Sequence, residues 1–197
     1  MGSLNINFIL YTAFRLAPFI LVSFFSLSSI LNQDLKGIIY LAGLLFATFF
    51  AIMIGNTSYF RNLEQMKPEN ELICNVLTLT DTGRLSNVPL SMVVFAYTFF
   101  YLVDIIAHYK LAEQNIPTLI IFPLLIIGEF MWNRMYSCAS LPGIVAAFGV
   151  GALMGWAWSA IIRSTGVVQL QYFNGISNAA VCSRPSKQIF RCKKTTA

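Results

Sequence analysis

The 197-residue chain predicts an all-α fold: a polytopic integral membrane helix bundle with about five transmembrane helices. Three observations predict it. Long apolar runs cover residues 8–31, 37–56, 89–107, 116–132 and 142–162, and a bilayer core about 30 Å thick is crossed by roughly 20 residues of helix. Hydrophobic residues make up 57% of the chain and charged ones 11%, against about 45–50% and 25% in soluble domains. The runs do not alternate polar and apolar residues as barrel strands would, and a helix satisfies its own backbone where lipid offers no water.

The first run has no basic n-region and no small-residue cleavage site, so it reads as a retained segment rather than a signal peptide. It carries Arg15 and Pro18. Proline is tolerated in a first helical turn, which predicts a short interfacial segment over 4–14 and a span starting near Leu16. Arg15 then snorkels to the headgroups. The second run, 37–56, is uncharged. Loop 57–88 is longer than the about 12–15 residues of an ordinary connection and mixes charges with the apolar stretch 72–79. A short helix on the membrane surface, ending before Asp81, is expected there; a partner interface is the alternative.

The third run, 89–107, holds Asp104 near one end, and the fourth and shortest, 116–132, holds Glu129 near the other face. Both lie within about two turns of an interface, so partial hydration is the expected means of satisfying them. Their separation excludes a single proton relay. In the fifth run Gly143, Ala147, Gly151, Gly155 and Ser159 recur every fourth residue and share one helix face. Small residues at that spacing let two backbones approach closely in lipid. The face packs within the bundle or mediates oligomers, the first being the expectation. Trp156 and Trp158 suit an interfacial aromatic belt. The chain thus divides into a bundle over 1–163 and a tail over 164–197.

Five spans place the two termini on opposite sides. The N-terminal side, with loop 57–88 and the turn 133–141, carries Arg15, Arg61, Lys67, Arg84 and Arg134; the other carries Lys36, Lys110, Arg163 and the tail cations. Basic segments stay in the cytoplasm, so the C-terminus is predicted cytoplasmic. The formal charge of +5 comes mostly from Arg184, Lys187, Arg191, Lys193 and Lys194. Such a cluster fixes topology, attracts anionic lipid at about 1 kcal/mol per residue, or contacts an acidic protein face. Nucleic acid is the weaker option, because aromatic interleaving and a recognised nucleic-acid fold are missing.

The single histidine, His108, lies far from the four cysteines, Cys74, Cys138, Cys182 and Cys192, none of them in a CxxC pair. No metal site and no cofactor is expected. Cys182 and Cys192 form a disulfide if their compartment is oxidising; free thiols are the default in a cytoplasmic tail. Phosphate-binding glycine loops and a nucleophile elbow are also missing from the sequence.

One turn does resemble a known family. Asn133-Arg134-Met135-Tyr136-Ser137-Cys138-Ala139-Ser140-Leu141-Pro142, followed by the small-residue helix, looks like the third signature of the phosphatidic acid phosphatase type 2 superfamily, S-R-x-Y-x-G-x-H-x-P. Arg134, Tyr136 and Pro142 match, and Ser140 stands where that family has its nucleophilic histidine. Pro89 matches the family's P-S-x-H segment without the serine and histidine. Lys67-Pro68 is a faint echo of the first signature. The resemblance implies hydrolysis of phosphate esters through a phosphohistidine. Without the nucleophile and its proton-transfer partner it implies a catalytically dead relative, in which Arg134, with Arg84 and Tyr136, keeps an anion or lipid-headgroup site. Separately, the tail, with Cys182-Ser183-Arg184-Pro185-Ser186-Lys187 and Phe190-Arg191-Cys192, is similar to tails of proteins of large DNA viruses of algae and amoebae. That similarity implies a membrane protein of the virion or of its assembly membrane.

The sequence therefore reads as a non-catalytic multi-pass membrane protein with a structural role. Its expected partners are the bilayer, capsid or other membrane proteins, and anionic lipid at the tail. The alternatives are a lipid phosphate phosphatase and a small channel or transporter.

Overall fold

The computed structural model describes residues 6–63, 74, 86–167 and 170–171, with side chains from Leu16 onward. Arg84 and the tail cations Arg184, Lys187, Arg191, Lys193 and Lys194 lie outside the described residues, as do Cys182, Cys192 and the stretch 75–85. The described elements are helical throughout: α1 (Ile6–Leu31), α2 (Lys36–Gly55), a short α3 (Ser58–Leu63), α4 (Leu90–His108), a 3₁₀ turn (Ala112–Asn115), α5 (Ile116–Met135) and α6 (Leu141–Ser164).

Four helical segments are long and apolar enough to cross a bilayer: α2, α4, α6, and α5 together with the 3₁₀ turn before it. The fold is an all-α membrane bundle. Of the five expected spans, the first differs. Helix α1 is continuous over 26 residues with Pro18 inside it, so the expected break between an interfacial segment and a separate span near Leu16 is not made. Its described apolar part, Leu16–Leu31, is shorter than the other spans. A proline removes one backbone donor and crowds the preceding turn, which a helix can absorb when lipid leaves its other backbone groups no alternative partner.

Helix α4 is the centre of the bundle. Its buried side chains, from Met92 through Tyr97 and Thr98 to Ile106, lie on every side of the helix. Only a helix enclosed by others has such a pattern. Against it lies α6, through a face on which Gly143, Ile144, Ala147, Gly151, Gly155, Ser159 and Ile162 are buried. The contact is backbone on backbone. A Cβ added at Gly151 would stand 2.6 Å from the Val93 carbonyl oxygen, and one at Gly155 would overlap the Tyr97 carbonyl.

Helix α2 closes the third side with Gly43, Ala47, Ala51 and Gly55, which are also four residues apart and buried. Gly43 leaves room for the Tyr97 hydroxyl and the Trp158 ring. The indole Nε1 of Trp158 donates to the Ile39 carbonyl at 3.0 Å and ties α6 to α2. At the other end of α2, Asn87 Nδ2 donates to the Gly55 carbonyl at 2.9 Å, one of the acceptors that a helix end leaves open.

Three helix ends close in the same way. Leu111 N–H donates to the Ile106 carbonyl and Lys110 N–H to Ala107; Cys138 donates to Asn133 and Ser137 to Arg134; Asp34 donates to Ser29 and Gln33 to Ile30. These are paired bonds of the Schellman type, which place one residue in the left-handed region. That residue is usually glycine, but here it is Gln33 (φ 52°), Lys110 (φ 55°) and Ser137 (φ 51°). A side chain in that conformation costs about 1–2 kcal/mol. Each of Gln33→Gly, Lys110→Gly and Ser137→Gly is therefore expected to stabilise the protein by about 0.5–1 kcal/mol, after allowance for the greater freedom of glycine in the unfolded chain. Unfolding midpoints of the three variants in one detergent check this; a fall in all three would contradict it.

Candidate functional site

Three groups of polar side chains lie along α4. Ser91 and Asp104 are 13 residues apart on that helix, which at about 1.5 Å per residue separates them by roughly 20 Å.

At the loop end, Glu129 and Asn133 stand one turn apart on α5, and both are buried. Glu129 is 1% exposed. Its Oε1 accepts from the Ser91 hydroxyl and from Asn133 Nδ2 at 2.8 Å, while the same amide also reaches the Glu129 carbonyl. The expectation that Glu129 is satisfied by partial hydration is thus replaced by donors from the protein. Most of the apolar side chains of α5, among them Ile120, Leu124, Ile127 and Met131, are exposed. The Glu129–Ser91 bond is a polar tie holding this otherwise peripheral helix to α4.

Beyond it the turn between α5 and α6 is built residue by residue. Arg134 is exposed. Tyr136 is half-buried against Trp132, with ring centroids 4.3 Å apart. Ser137 takes the left-handed conformation, and Cys138 is buried and disulfide-bonded to Cys74. The Ser140 hydroxyl accepts from Gly143 N–H at 3.3 Å and caps α6, with proline in the first turn. A serine cap satisfies an otherwise open helical donor. Within the stretch that resembles the phosphatase signature, Ser140 and Pro142 thus sit where a helix start places such residues.

At the tail end, Asp104 Oδ2 accepts from the Arg163 guanidinium and from the Ser159 hydroxyl at 2.8 Å, joining α4 to α6. The Asp104 side chain is 10% exposed and that of Arg163 29%. Here too a neighbouring helix, rather than water alone, answers the acid. Arg163 keeps its outer edge in the polar layer, as long basic side chains do at a membrane boundary. His108 is exposed and meets Tyr109 edge-on.

Between the two ends lies a hydroxyl chain. Thr98 Oγ1 donates to the Val94 carbonyl at 2.7 Å, so the 2.6 Å contact with Tyr40 has the tyrosine as donor. Tyr97 donates to the Tyr40 carbonyl at 3.1 Å. With Phe25 and Tyr101 these rings form one aromatic cluster.

Comparison of the chain with protein-family models, curated proteins and solved structures finds no match.

Of the residues singled out from sequence, Gly143, Ala147, Gly151, Gly155 and Ser159 share the α4-facing side of α6. Arg134 is exposed in the last turn of α5, and Tyr136, two residues on, caps that helix at the loop end. Sequence reasoning passed over Ser91, Asn133 and the pairing of Asp104 with Arg163. A signal was available for the last: Arg163 lies four residues after Ser159 and on the same side of the membrane as Asp104. The Cys74–Cys138 pair was also passed over, although counting spans puts both cysteines on one face.

Proposed function

We propose that the protein is a non-catalytic structural component of a membrane, held as a rigid helical block. Its basic tail, with Arg184, Lys187, Arg191, Lys193 and Lys194, contacts anionic lipid or a partner protein from the cytoplasmic side. The observation that carries the reading is the use of the intramembrane acids: each bridges two helices, Glu129 to Ser91 and Asp104 to Arg163 and Ser159. Acids within a membrane face the bundle interior and pair with neighbouring groups; here each pairing joins two helices, which is the use a structural tie makes of a buried acid. A viral inner or assembly membrane, with capsid or other membrane proteins as partners, is the setting that the similarity of the tail favours.

The reading is tested by phosphate release from phosphatidate and prenyl diphosphates, using the full chain in nanodiscs beside Arg134→Ala. Release no greater than from empty nanodiscs is expected for both proteins. Turnover by the native chain that disappears in Arg134→Ala would overturn the reading and make the protein a lipid phosphate phosphatase.

A further inference from the structure

Cys74 and Cys138 are joined although 64 positions separate them in sequence. The path between them includes α4, which crosses from the loop face to the tail face, and α5, which returns. Both sulfurs therefore lie on the loop face. Cys138 is held there on a fixed frame: it is 7% exposed, follows the left-handed Ser137, and its N–H is bound to the Asn133 carbonyl at 3.0 Å. The Cα atoms of the pair are 5.3 Å apart, inside the range of about 4.4–6.8 Å that a disulfide needs. Helix α6 then crosses once more, so the described chain after it, which ends at Leu170 and Gln171, lies at the face opposite the disulfide, 11 residues before Cys182 in sequence.

We infer that the loop face lies in an oxidising compartment, where Cys74–Cys138 is a permanent cross-link, and that Cys182 and Cys192 are reduced thiols on the cytoplasmic face. The two pairs of cysteines are thus sorted into opposite oxidation states by the bilayer between them. Disulfides persist in oxidising compartments, while cytosolic thiols are kept reduced. The bond forms when the thiolate of one cysteine attacks the disulfide of an exchange oxidoreductase. The second cysteine then resolves the mixed disulfide. The two thiols give up two electrons and two protons, and the oxidant leaves as a dithiol. Charge supports the same orientation through the tail cations: Lys36, Lys110 and Arg163 on the tail face are outnumbered by the basic residues of the loop side until Arg184, Lys187, Arg191, Lys193 and Lys194 are added, and the side with the basic excess marks the cytoplasm. The inference depends on the helices crossing the membrane and not on the structural role, so phosphate release would leave it standing.

The test counts thiols in the full-length protein in sealed microsomes, whose outer surface is the cytoplasmic face. Free thiols are blocked with a permeant maleimide in detergent, the protein is reduced, and a polyethylene glycol maleimide is added. Two labels are expected on the native chain and none on Cys74→Ser or Cys138→Ser. Without the detergent, an impermeant maleimide is expected to reach Cys182 and Cys192. It should reach an Asn56→Cys reporter, placed at the exposed loop-side end of α2 in the Cys74→Ser/Cys138→Ser background, only after detergent is added. Four free thiols before reduction would overturn the inference. So would a pair of labels that survives Cys74→Ser, or an Asn56→Cys reporter labelled in intact microsomes.

Discussion

Gly155→Ala is expected to destabilise the protein by about 1–2 kcal/mol net, although alanine is the better helix former by about 1 kcal/mol. The added methyl group would meet the Tyr97 carbonyl and the Tyr101 amide nitrogen of α4. These are backbone atoms that cannot rotate away, and overpacking a tight contact costs about 1–3 kcal/mol. Gly151→Ala meets the Val93 carbonyl and the Ala96 side chain and is expected to behave in the same way. Gly149 is the control, because a Cβ there has nothing within 4 Å. Gly149→Ala should therefore leave stability unchanged or raise it. Unfolding midpoints of the three variants, measured in one detergent, decide the matter. Equal small effects at all three positions would mean that α4 and α6 do not approach at Gly151 and Gly155. The same face explains why α6 can lie so close to a helix enclosed on all sides. In lipid, where apolar burial gives little drive to associate, close van der Waals packing and interhelical hydrogen bonds hold helices together.

The second large effect is expected at the loop face. Replacing Cys74 and Cys138 together by serine should lower stability by about 2–4 kcal/mol, through the added freedom of the unbridged chain in the unfolded state. The lower end of that range is the better expectation, because α4 and α5 stay inserted in the membrane and constrain the chain even without the bridge. Removing both sulfurs avoids leaving one unpaired thiol to react elsewhere. Thermal unfolding of the double variant beside the native chain, with and without reductant, measures the effect. Reductant should lower the native midpoint towards that of the variant and leave the variant unmoved. A double variant as stable as the native chain would show that the bridge joins parts already held by packing.

Much of the architecture was legible from sequence because it depends on local properties. Run length and the lack of charge are enough to call helices α2, α4, α5 and α6, and spacing alone puts Gly143 through Ser159 on one face. By the same rule Gly43, Ala47, Ala51 and Gly55 were open to reading in α2. What α1 does around Pro18 was not, because a proline is compatible with both a break and a continuous helix. Nor were the ends of α1, α4 and α5, where the left-handed residue is Gln33, Lys110 or Ser137 in place of the glycine that usually marks such a stop.

Composition and hydropathy were sufficient for the all-helical membrane class, since the cost of bare backbone in lipid falls on each segment separately. The central place of α4, the answering of Glu129 by Ser91 and of Asp104 by Arg163, and the joining of Cys74 to Cys138 were decided by the tertiary structure. Lipid and protein interior are equally apolar, so hydropathy does not distinguish an enclosed helix from a peripheral one. A buried acid or a thiol finds its partner only after packing has brought distant parts of the chain to within a few ångströms.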